Sequence, residues 1–288
     1  TNGLMAKMAS LGDMKNTGTI NSTAYVTQLS SVGTLTNEGT IASSKQIAIS
    51  ATGDLVNAGT MKGTQLLSVA SGGNLTTRKG SNTVSDGQLA VSANNIDNAG
   101  SMRGNITYVE FSGDKLKVTG ELRGHSTLTV QSKKDDKVNS GLIYNTGSIS
   151  GNDVTIITNG NLDQEGNIIG QNSLSIKTNV LDNVYYIYGK SLNIESNYVR
   201  NRATIDGYNN TISAANGILN EGQISASGDL TLKTLNNANI TNYNTIKANG
   251  SLTMTTGTVK NGGYRCGFLN LATCGKGSIS ANKLVLNS

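Results

Sequence analysis

The sequence LTNEGTI occupies residues 35–41, and LVNAGTM follows at residues 55–61. Both stretches fit one template, in which an apolar residue, an asparagine, a glycine and a second apolar residue stand at every other position. Eleven well-matched copies recur, mostly 18–22 residues apart, and their second apolar residues are Ile20, Ile41, Met61, Met102, Leu122, Ile149, Ile168, Ile187, Ile205, Ile224 and Ile246. A repeat of this length predicts a solenoid in which each copy forms one structural unit.

Asparagine stands four residues before the second apolar residue in nine of the eleven copies, at Asn16, Asn37, Asn57, Asn98, Asn145, Asn183, Asn201, Asn220 and Asn242. Val118 and Gln164 take this place in the other two copies. In an extended chain the asparagine points to the same side as the apolar residues, so we expect it at the inner side of a bend between two strands. Because a buried amide needs a partner, the stacked copies predict an asparagine ladder. The glycine, as in Gly39, is expected to permit the backbone geometry of the turn.

A short alternation of apolar and polar residues follows most copies, as in Ile47-Ala48-Ile49 and Leu128-Thr129-Val130. A period of two residues predicts strands, and the apolar spacing that a helix needs is missing. Three short strands per repeat of about 20 residues, each stacked on its counterpart one repeat away, form a parallel β-helix. We therefore predict an all-β fold of about 13 coils, with residues 1–288 forming a single β-helix domain.

The composition agrees with a narrow core. The chain has 35 glycines, two phenylalanines, no proline and no tryptophan among 288 residues, and hydrophobic residues make up 36%. Aromatic side chains are too large for most inward positions of a β-helix, and proline would remove a hydrogen-bond donor from the strand ladder. The net charge of +5 is scattered rather than clustered, so no nucleic-acid partner is predicted.

The template, followed by a short Leu-x-Ile strand at about 19–20 residues, resembles the filamentous-haemagglutinin repeat from about residue 10 to 288. That resemblance implies a right-handed β-helix from the interior of a bacterial exoprotein of the two-partner secretion class. Such proteins include adhesins, haemolysins and the toxin-delivery proteins of contact-dependent growth inhibition. It also implies a secreted, extracellular protein at the bacterial cell surface, which depends on an outer-membrane secretion partner. We expect the segment itself to be a monomer.

Three segments interrupt the repeat, near residues 77–87, 133–140 and 262–277, and each is predicted to be a loop insertion. Interruptions are where a solenoid usually carries its specificity. The last one, NGGYRCGFLNLATCGKG at residues 261–277, contains both cysteines of the chain, Cys266 and Cys274. No histidine or acidic residue lies nearby, so a disulfide in an oxidising compartment is preferred to a metal site. The apolar residues of this loop, Phe268 among them, either pack on the β-helix or meet a partner.

A cluster of tyrosine and arginine forms the fourth irregularity. VYYIY occupies residues 184–188, with Tyr185 in the place of the template glycine, and the following repeat adds further aromatic and basic residues. The candidate receptor-binding residues, including three from the last loop, are Tyr186, Tyr188, Tyr198, Arg200, Arg202, Tyr208, Tyr264, Arg265 and Phe268. Exposed tyrosine and arginine are typical of interface hot spots, whereas tyrosine is also simply a good strand former.

Catalysis is not predicted. The only acidic doublet is Asp135-Asp136 in a lysine-rich stretch, and His125, the single histidine, is expected at the surface. No cofactor or metal is expected. The leading hypothesis is a receptor-binding region of a growth-inhibition effector, which recognises an outer-membrane protein or surface glycan of a neighbouring bacterium. The alternative is the structural shaft of an adhesin that binds a host-cell receptor.

Overall fold

The computed structural model describes residues 3–134, 137–262, 264–266, 272–274 and 277–287, and for residues 134, 264–266 and 272–274 it describes the main chain alone. The predicted all-β parallel β-helix is confirmed, because the chain forms a parallel β-solenoid of about 13 turns. Its contacts group into two compact units, Thr1–Val154 and Thr155–Ser288.

Residues 35–51 illustrate one coil. Strand A is Leu35–Asn37, strand B is Thr40–Ser43, and strand C is Gln46–Ala51. Each strand pairs in parallel with its counterpart one coil away, so that Leu35 lies opposite Leu55 and Asn37 lies opposite Asn57. Three corners, named A–B, B–C and C–A after the strands that they join, complete the turn.

The strands that begin in the first unit follow this scheme in chain order. They are β1 (Met5–Ser10), β2 (Met14–Asn16), β3 (Thr19–Ser22), β4 (Val26–Ser31), β5 (Leu35–Asn37), β6 (Thr40–Ser43), β7 (Gln46–Ala51), β8 (Leu55–Asn57), β9 (Thr60–Gly63), β10 (Leu66–Ser71), β11 (Asn74–Thr77), β12 (Asn82–Ser85), β13 (Gln88–Ala93), β14 (Asn95–Asn98), β15 (Ser101–Phe111), β16 (Lys115–Val118), β17 (Glu121–Lys134), β18 (Lys137–Val138), β19 (Leu142–Asn145) and β20 (Ser148–Ile157).

In the second unit some strands run through two or three sides of a coil without a break. The strands are β21 (Asn161–Gln164), β22 (Asn167–Asn183), β23 (Tyr186–Asn201), β24 (Thr204–Ala214), β25 (Ile218–Asn220), β26 (Gln223–Ala226), β27 (Leu230–Thr234), β28 (Asn239–Asn242), β29 (Thr245–Ala248), β30 (Ser251–Thr255), β31 (Thr258–Asn261), β32 (Tyr264–Cys266), β33 (Ala272–Cys274), β34 (Ser278–Ser280) and β35 (Lys283–Asn287).

Side chains alternate along each strand between the core and the outside. In β7 the buried residues are Ile47, Ile49 and Ala51, and the residues between them are half-buried. Medium aliphatic residues dominate the buried set because each coil leaves room for only one or two side chains per strand.

Phe111 is the large exception to this rule, since it is fully buried in a strand C. Its counterparts one coil away on either side are the small residues Ala93 and Ser132. Gly141 also lies against the ring, because a Cβ at this position would overlap Phe111 Cε2. An aromatic side chain thus fits when three neighbouring positions remain small.

The interruption at residues 77–87 contains a coil that the template did not detect. Strand β12 lies there, and its Thr83 stands opposite Met61 and Met102, where other coils have an aliphatic residue. The preceding β11 places Thr77 opposite Asn57 and Asn98, where other coils have asparagine. Because threonine stands at both positions, this copy of the repeat does not match the sequence template.

The other two interruptions each contain an antiparallel strand pair. At 133–140, β18 pairs with the end of β17, with Lys133 opposite Val138. At 262–277, β32 pairs with β33, with Tyr264 opposite Cys274 and Cys266 opposite Ala272. The first pair extends from a C–A corner, and the second occupies an A–B corner.

Candidate binding surface

The A–B corner is built around the template asparagine. Asn37 is fully buried, and its Nδ2 atom donates to Asn57 Oδ1 at 2.9 Å and to the Thr60 carbonyl at 3.1 Å. Asn16 Nδ2 donates in turn to Asn37 Oδ1 at 2.8 Å. Each asparagine therefore links its own corner to the next coil, and both polar ends of the amide are satisfied.

The role expected for the template glycine needs a correction. Gly39 is not among the residues with positive φ, which in the described chain are Gly80, Gly217, Asn236 and Asn237. Instead, a Cβ on Gly39 would collide with the carbonyl oxygen of Gly18, one coil away. Glycine is thus required by the close approach of stacked corners rather than by an unusual backbone angle.

The second unit has the longest run of the ladder. Successive Nδ2–Oδ1 hydrogen bonds measure 2.7, 2.8, 2.7 and 2.8 Å, and they connect Asn183, Asn201, Asn220, Asn242 and Asn261. Asn261 was not among the predicted ladder residues because the last interruption separates it from the apolar residue that defines the template. The ladder shows that this interruption lies at an A–B corner.

In the first unit other residues replace asparagine at some positions of the ladder, and the hydrogen bonds change accordingly. Thr77 Oγ1 donates to Asn98 Oδ1 at 2.5 Å, and Asn57 Nδ2 donates to Thr83 Oγ1 at 2.9 Å. Val118 stands between Asn98 and Asn145 and offers no polar atom. The ladder tolerates such positions because backbone atoms take over, as where Asn98 Nδ2 donates to the Glu121 carbonyl at 2.8 Å.

In the second unit Gln164 takes the place of asparagine. Its Nε2 atom donates to the Gly166 carbonyl of its own corner at 2.6 Å and to the Tyr186 carbonyl of the next coil at 3.2 Å, so glutamine also links neighbouring coils.

Tyr186 and Tyr188 lie side by side on a strand B with Ile187 buried between them. Their rings stack with centroids 6.4 Å apart and planes 8° from parallel. Tyr188 stands opposite Asp206 of the next coil. Burial, the charge of Asp206 and the neighbouring Tyr188 raise the pKa of Tyr186. The pair forms an aromatic surface beside Ile169, which stands opposite Tyr188 on the preceding coil.

Tyr198, Arg200 and Arg202 lie instead along strand A and at its A–B corner. Arg200 Nε donates to Glu221 Oε2 at 2.9 Å, and this hydrogen bond is the main cause of its raised pKa. Arg202 donates two hydrogen bonds to Asp182, at 2.6 and 3.0 Å. Both guanidinium groups are thus neutralised by carboxylates of neighbouring coils, which the spacing in sequence did not reveal.

The remaining two tyrosines of the cluster occupy corners. Tyr208 is 52% exposed at a B–C corner, and Tyr185 is 54% exposed at an A–B corner. The six candidates from residues 186–208 therefore lie on three separate parts of the coil, with Tyr186 beside Tyr188 and Tyr198 beside Arg200. Tyr185, which no candidate set included, lies at the corner between the first pair and the second.

Tyr185 also changes the corner that it occupies. The amide of Tyr186 is 3.4 Å from the Gly166 carbonyl, whereas the corresponding distance from Thr40 to Gly18 is 2.8 Å. The backbone hydrogen bond between neighbouring corners is thus longer at Tyr185 than at the glycine corner of residue 39.

The strand pair after Asn261 carries the other candidates. Tyr264 and Arg265 are in β32, and their side chains lie outside the described residues, as does all of Phe268. The register places Cys266 opposite Ala272 rather than opposite Cys274. The disulfide between Cys266 and Cys274 stays a prediction.

These features give the second unit a continuous irregular border, which we call the corner edge. It consists of the A–B corners at residues 184–185, 202–203, 221–222, 243–244 and 262–277, stacked in the order set by the asparagine ladder. Tyr243 belongs to it and was missed in the sequence, although its position directly after Asn242 was an available signal. Tyrosine thus occurs at three corners of this edge, as Tyr185, Tyr243 and Tyr264.

Two features are absent from the described part of the chain, a metal-binding cluster and a membrane-spanning helix. No group of three or more His, Cys, Asp or Glu residues there could hold a metal ion. No helix within those residues has the length and apolar character needed to cross a membrane.

A β-solenoid with stacked asparagine corners defines a repeat protein, and the haemagglutinin-repeat form of this fold is typically structural or adhesive rather than catalytic. The family described as the haemagglutinin repeat matches residues 9–79, 60–105, 115–184, 189–234 and 207–288. The chain belongs to this family of filamentous-haemagglutinin-type exoproteins. Its members are generally secreted, extracellular or attached to the cell surface. No curated protein and no solved structure gives a significant match to the chain.

Proposed function

We propose that this chain is part of the extracellular shaft of a two-partner-secreted, adhesin-like exoprotein, and that its corner edge contacts a host-cell receptor. The regular coils have a structural role, because their asparagines, glycines and buried aliphatic residues all serve coil stacking. The observation that carries the proposal is the hairpin of 16 residues, 262–277, that replaces the two residues of an ordinary A–B corner. The ladder hydrogen bonds continue across this insertion, so the insertion is not needed to close the coil.

The ladder supports this separation of roles. Asn242 Nδ2 donates both to Asn261 Oδ1, before the hairpin, and to the Ser278 carbonyl, after it, at 2.8 and 3.0 Å. The coil therefore closes as if the hairpin were absent. Tyr185 and Tyr243 precede the hairpin on the same edge, and tyrosine contributes large contact area at low conformational cost.

A second candidate is recognition of an outer-membrane protein or surface glycan on a neighbouring bacterium, as in contact-dependent growth inhibition. The stacked pair Tyr186 and Tyr188 beside Tyr185 favours a localised binding site, which a plain shaft does not need. The haemagglutinin-repeat match supports the adhesin shaft more than this specialised role.

Binding of the purified chain to two kinds of membrane separates the candidates. Labelled chain is added to host-cell membranes and, in parallel, to bacterial outer membranes. Saturable binding to host membranes is the expected result. Saturable binding to bacterial membranes alone would support the second candidate, and binding to neither would leave a spacer without adhesive function.

A further inference from the structure

A basic cleft lies on the strand B side of the first unit. Its volume is about 630 Å³, and its lining includes Lys62, Arg103, Arg123 and His125. Arg103 and Arg123 stand directly opposite each other on paired strands. Adjacent strands are about 4.8 Å apart, so two like charges are held close together.

Several charged residues of the chain are paired across coils. Lys15 binds Glu38 at 3.0 Å, and Lys62, at the rim of the cleft, binds Asp86 at 3.4 Å. Within the described residues, neither the Arg103 nor the Arg123 guanidinium has an ion pair or a hydrogen bond. The nearby carboxylate of Glu121 accepts a hydrogen bond from Ser101 instead, at 2.8 Å. Asp86, which also lines the cleft, neutralises Lys62, so the two arginines carry a positive charge that no described residue neutralises.

Ser85 also lines the cleft, but it has the same inward-facing parity as Thr83 on β12 and its Oγ atom is buried, so this hydroxyl is not available to a ligand there. The neutral groups of Asn82, Asn105 and Thr60 complete the polar lining.

We propose that this cleft binds a sugar unit that carries an oxyanion, within an acidic oligosaccharide. Two guanidinium forks bind a carboxylate, sulfate or phosphate group through paired, charge-assisted hydrogen bonds. The side-chain amides of Asn82 and Asn105 and the hydroxyl of Thr60 suit the hydroxyls of the same sugar. No aromatic residue lines the cleft, so it lacks the stacking surface that single-stranded nucleic acids use.

Calorimetric titration of the purified chain with defined oligosaccharides tests the proposal. The probes are galacturonate oligosaccharides, sulfated chondroitin oligosaccharides and uncharged cello-oligosaccharides. Binding of at least one acidic series is expected, with the two series distinguishing a carboxylate from a sulfate preference. Oligosaccharide binding by the cleft does not depend on receptor binding by the corner edge, because the titration contains no cell membrane. Either proposal can therefore fail while the other holds.

Matched variants locate the binding. Arg103→Gln or Arg123→Gln should weaken the affinity about tenfold or more, the loss expected for a charge-assisted hydrogen bond. Arg78→Gln removes the same charge from an exposed arginine of the same unit outside the cleft, and should bind as the wild type does. Circular dichroism verifies that each variant is folded.

Three results would overturn the proposal. The first is that neither acidic series binds, and the second is that cello-oligosaccharides bind equally well. The third is that Arg78→Gln weakens binding as much as Arg103→Gln, because this would show general attraction to a basic surface.

Discussion

Asn37 and Asn57 lie one coil apart, and the side-chain amide of Asn37 donates a hydrogen bond to Asn57 Oδ1 across 2.9 Å. Both side chains are completely buried. The interior of a coil thus has a polar corner whose groups are satisfied along the stack, beside a wall of aliphatic residues. This arrangement makes asparagine, rather than a more apolar residue, the stabilising choice.

Replacement of Asn37 by leucine should therefore destabilise the chain. Asn16 and Asn57 would each lose a partner, at about 1–3 kcal/mol for each buried group left unpaired. Urea denaturation measures the loss. Thr36→Leu, at the outward-facing neighbouring position, serves as the control and should change stability by about 0.5 kcal/mol or less. Asn37→Thr should lose less stability than Asn37→Leu, because a threonine can form the ladder hydrogen bond, as Thr77 does in its own coil.

The corner glycines provide a matched pair of positions. Gly39→Ala should cost about 1–3 kcal/mol of unfolding free energy, because the new Cβ meets the Gly18 carbonyl oxygen. Gly18→Ala should be tolerated, since nothing lies within 4 Å of a Cβ there. Thermal unfolding of the two variants measures the loss of stability that each substitution causes. Equal losses would mean that backbone conformation, and not space, selects glycine.

Gly141 and Phe111 should be energetically coupled. Gly141→Ala places a methyl group against the buried ring and is expected to cost about 1–3 kcal/mol. In a Phe111→Leu background the same change should cost much less, because the smaller side chain leaves room. A double-mutant cycle measured by chemical denaturation gives the coupling. Additive effects of the two changes would contradict the packing described for this coil.

Much of the fold was predictable from residues with a single physical role. The asparagine and glycine of each corner, and the alternation of strands such as Ile47-Ala48-Ile49, were enough to indicate stacked coils. The coil with Thr77 and Thr83 was missed because threonine can supply the ladder hydrogen bond and also fill an inward position.

The binding surface was less predictable. Residues close in sequence, such as Tyr188 and Arg200, lie on different sides of a coil. Residues about 20 positions apart meet instead, as Arg202 does with Asp182. Only the register of stacked coils determines which charges are neutralised and which, like those of Arg103 and Arg123, are not.

Tyr108 should titrate at unusually high pH. Burial, reinforced by the hydrogen bond to Glu110 at 2.6 Å and by its charge, raises the pKa of Tyr108 to about 12. Because the folded-state pKa lies above the unfolded value of about 10, this contribution to stability is complete below pH 10 and is lost as the pH rises through about 12. Glu110→Gln should lower the pKa. Ultraviolet difference titration, with Tyr108→Phe as the reference, measures the pKa of Tyr108. If Glu110→Gln leaves this pKa unchanged, the whole shift is due to burial.

The most direct test of the account concerns the corner edge. In the decisive variant, residues 262–277 are replaced by Glu-Gly, the sequence of the ordinary corner at 221–222, and Tyr185 is replaced by glycine. A control variant lacks only residues 79 and 80, which shortens a corner of the first unit to ordinary length. Saturable binding to host-cell membranes is measured for both, with circular dichroism to verify folding. We expect the first variant to fold but no longer to bind host-cell membranes, and the control variant to bind them normally. Undiminished binding by the folded first variant would contradict this expectation.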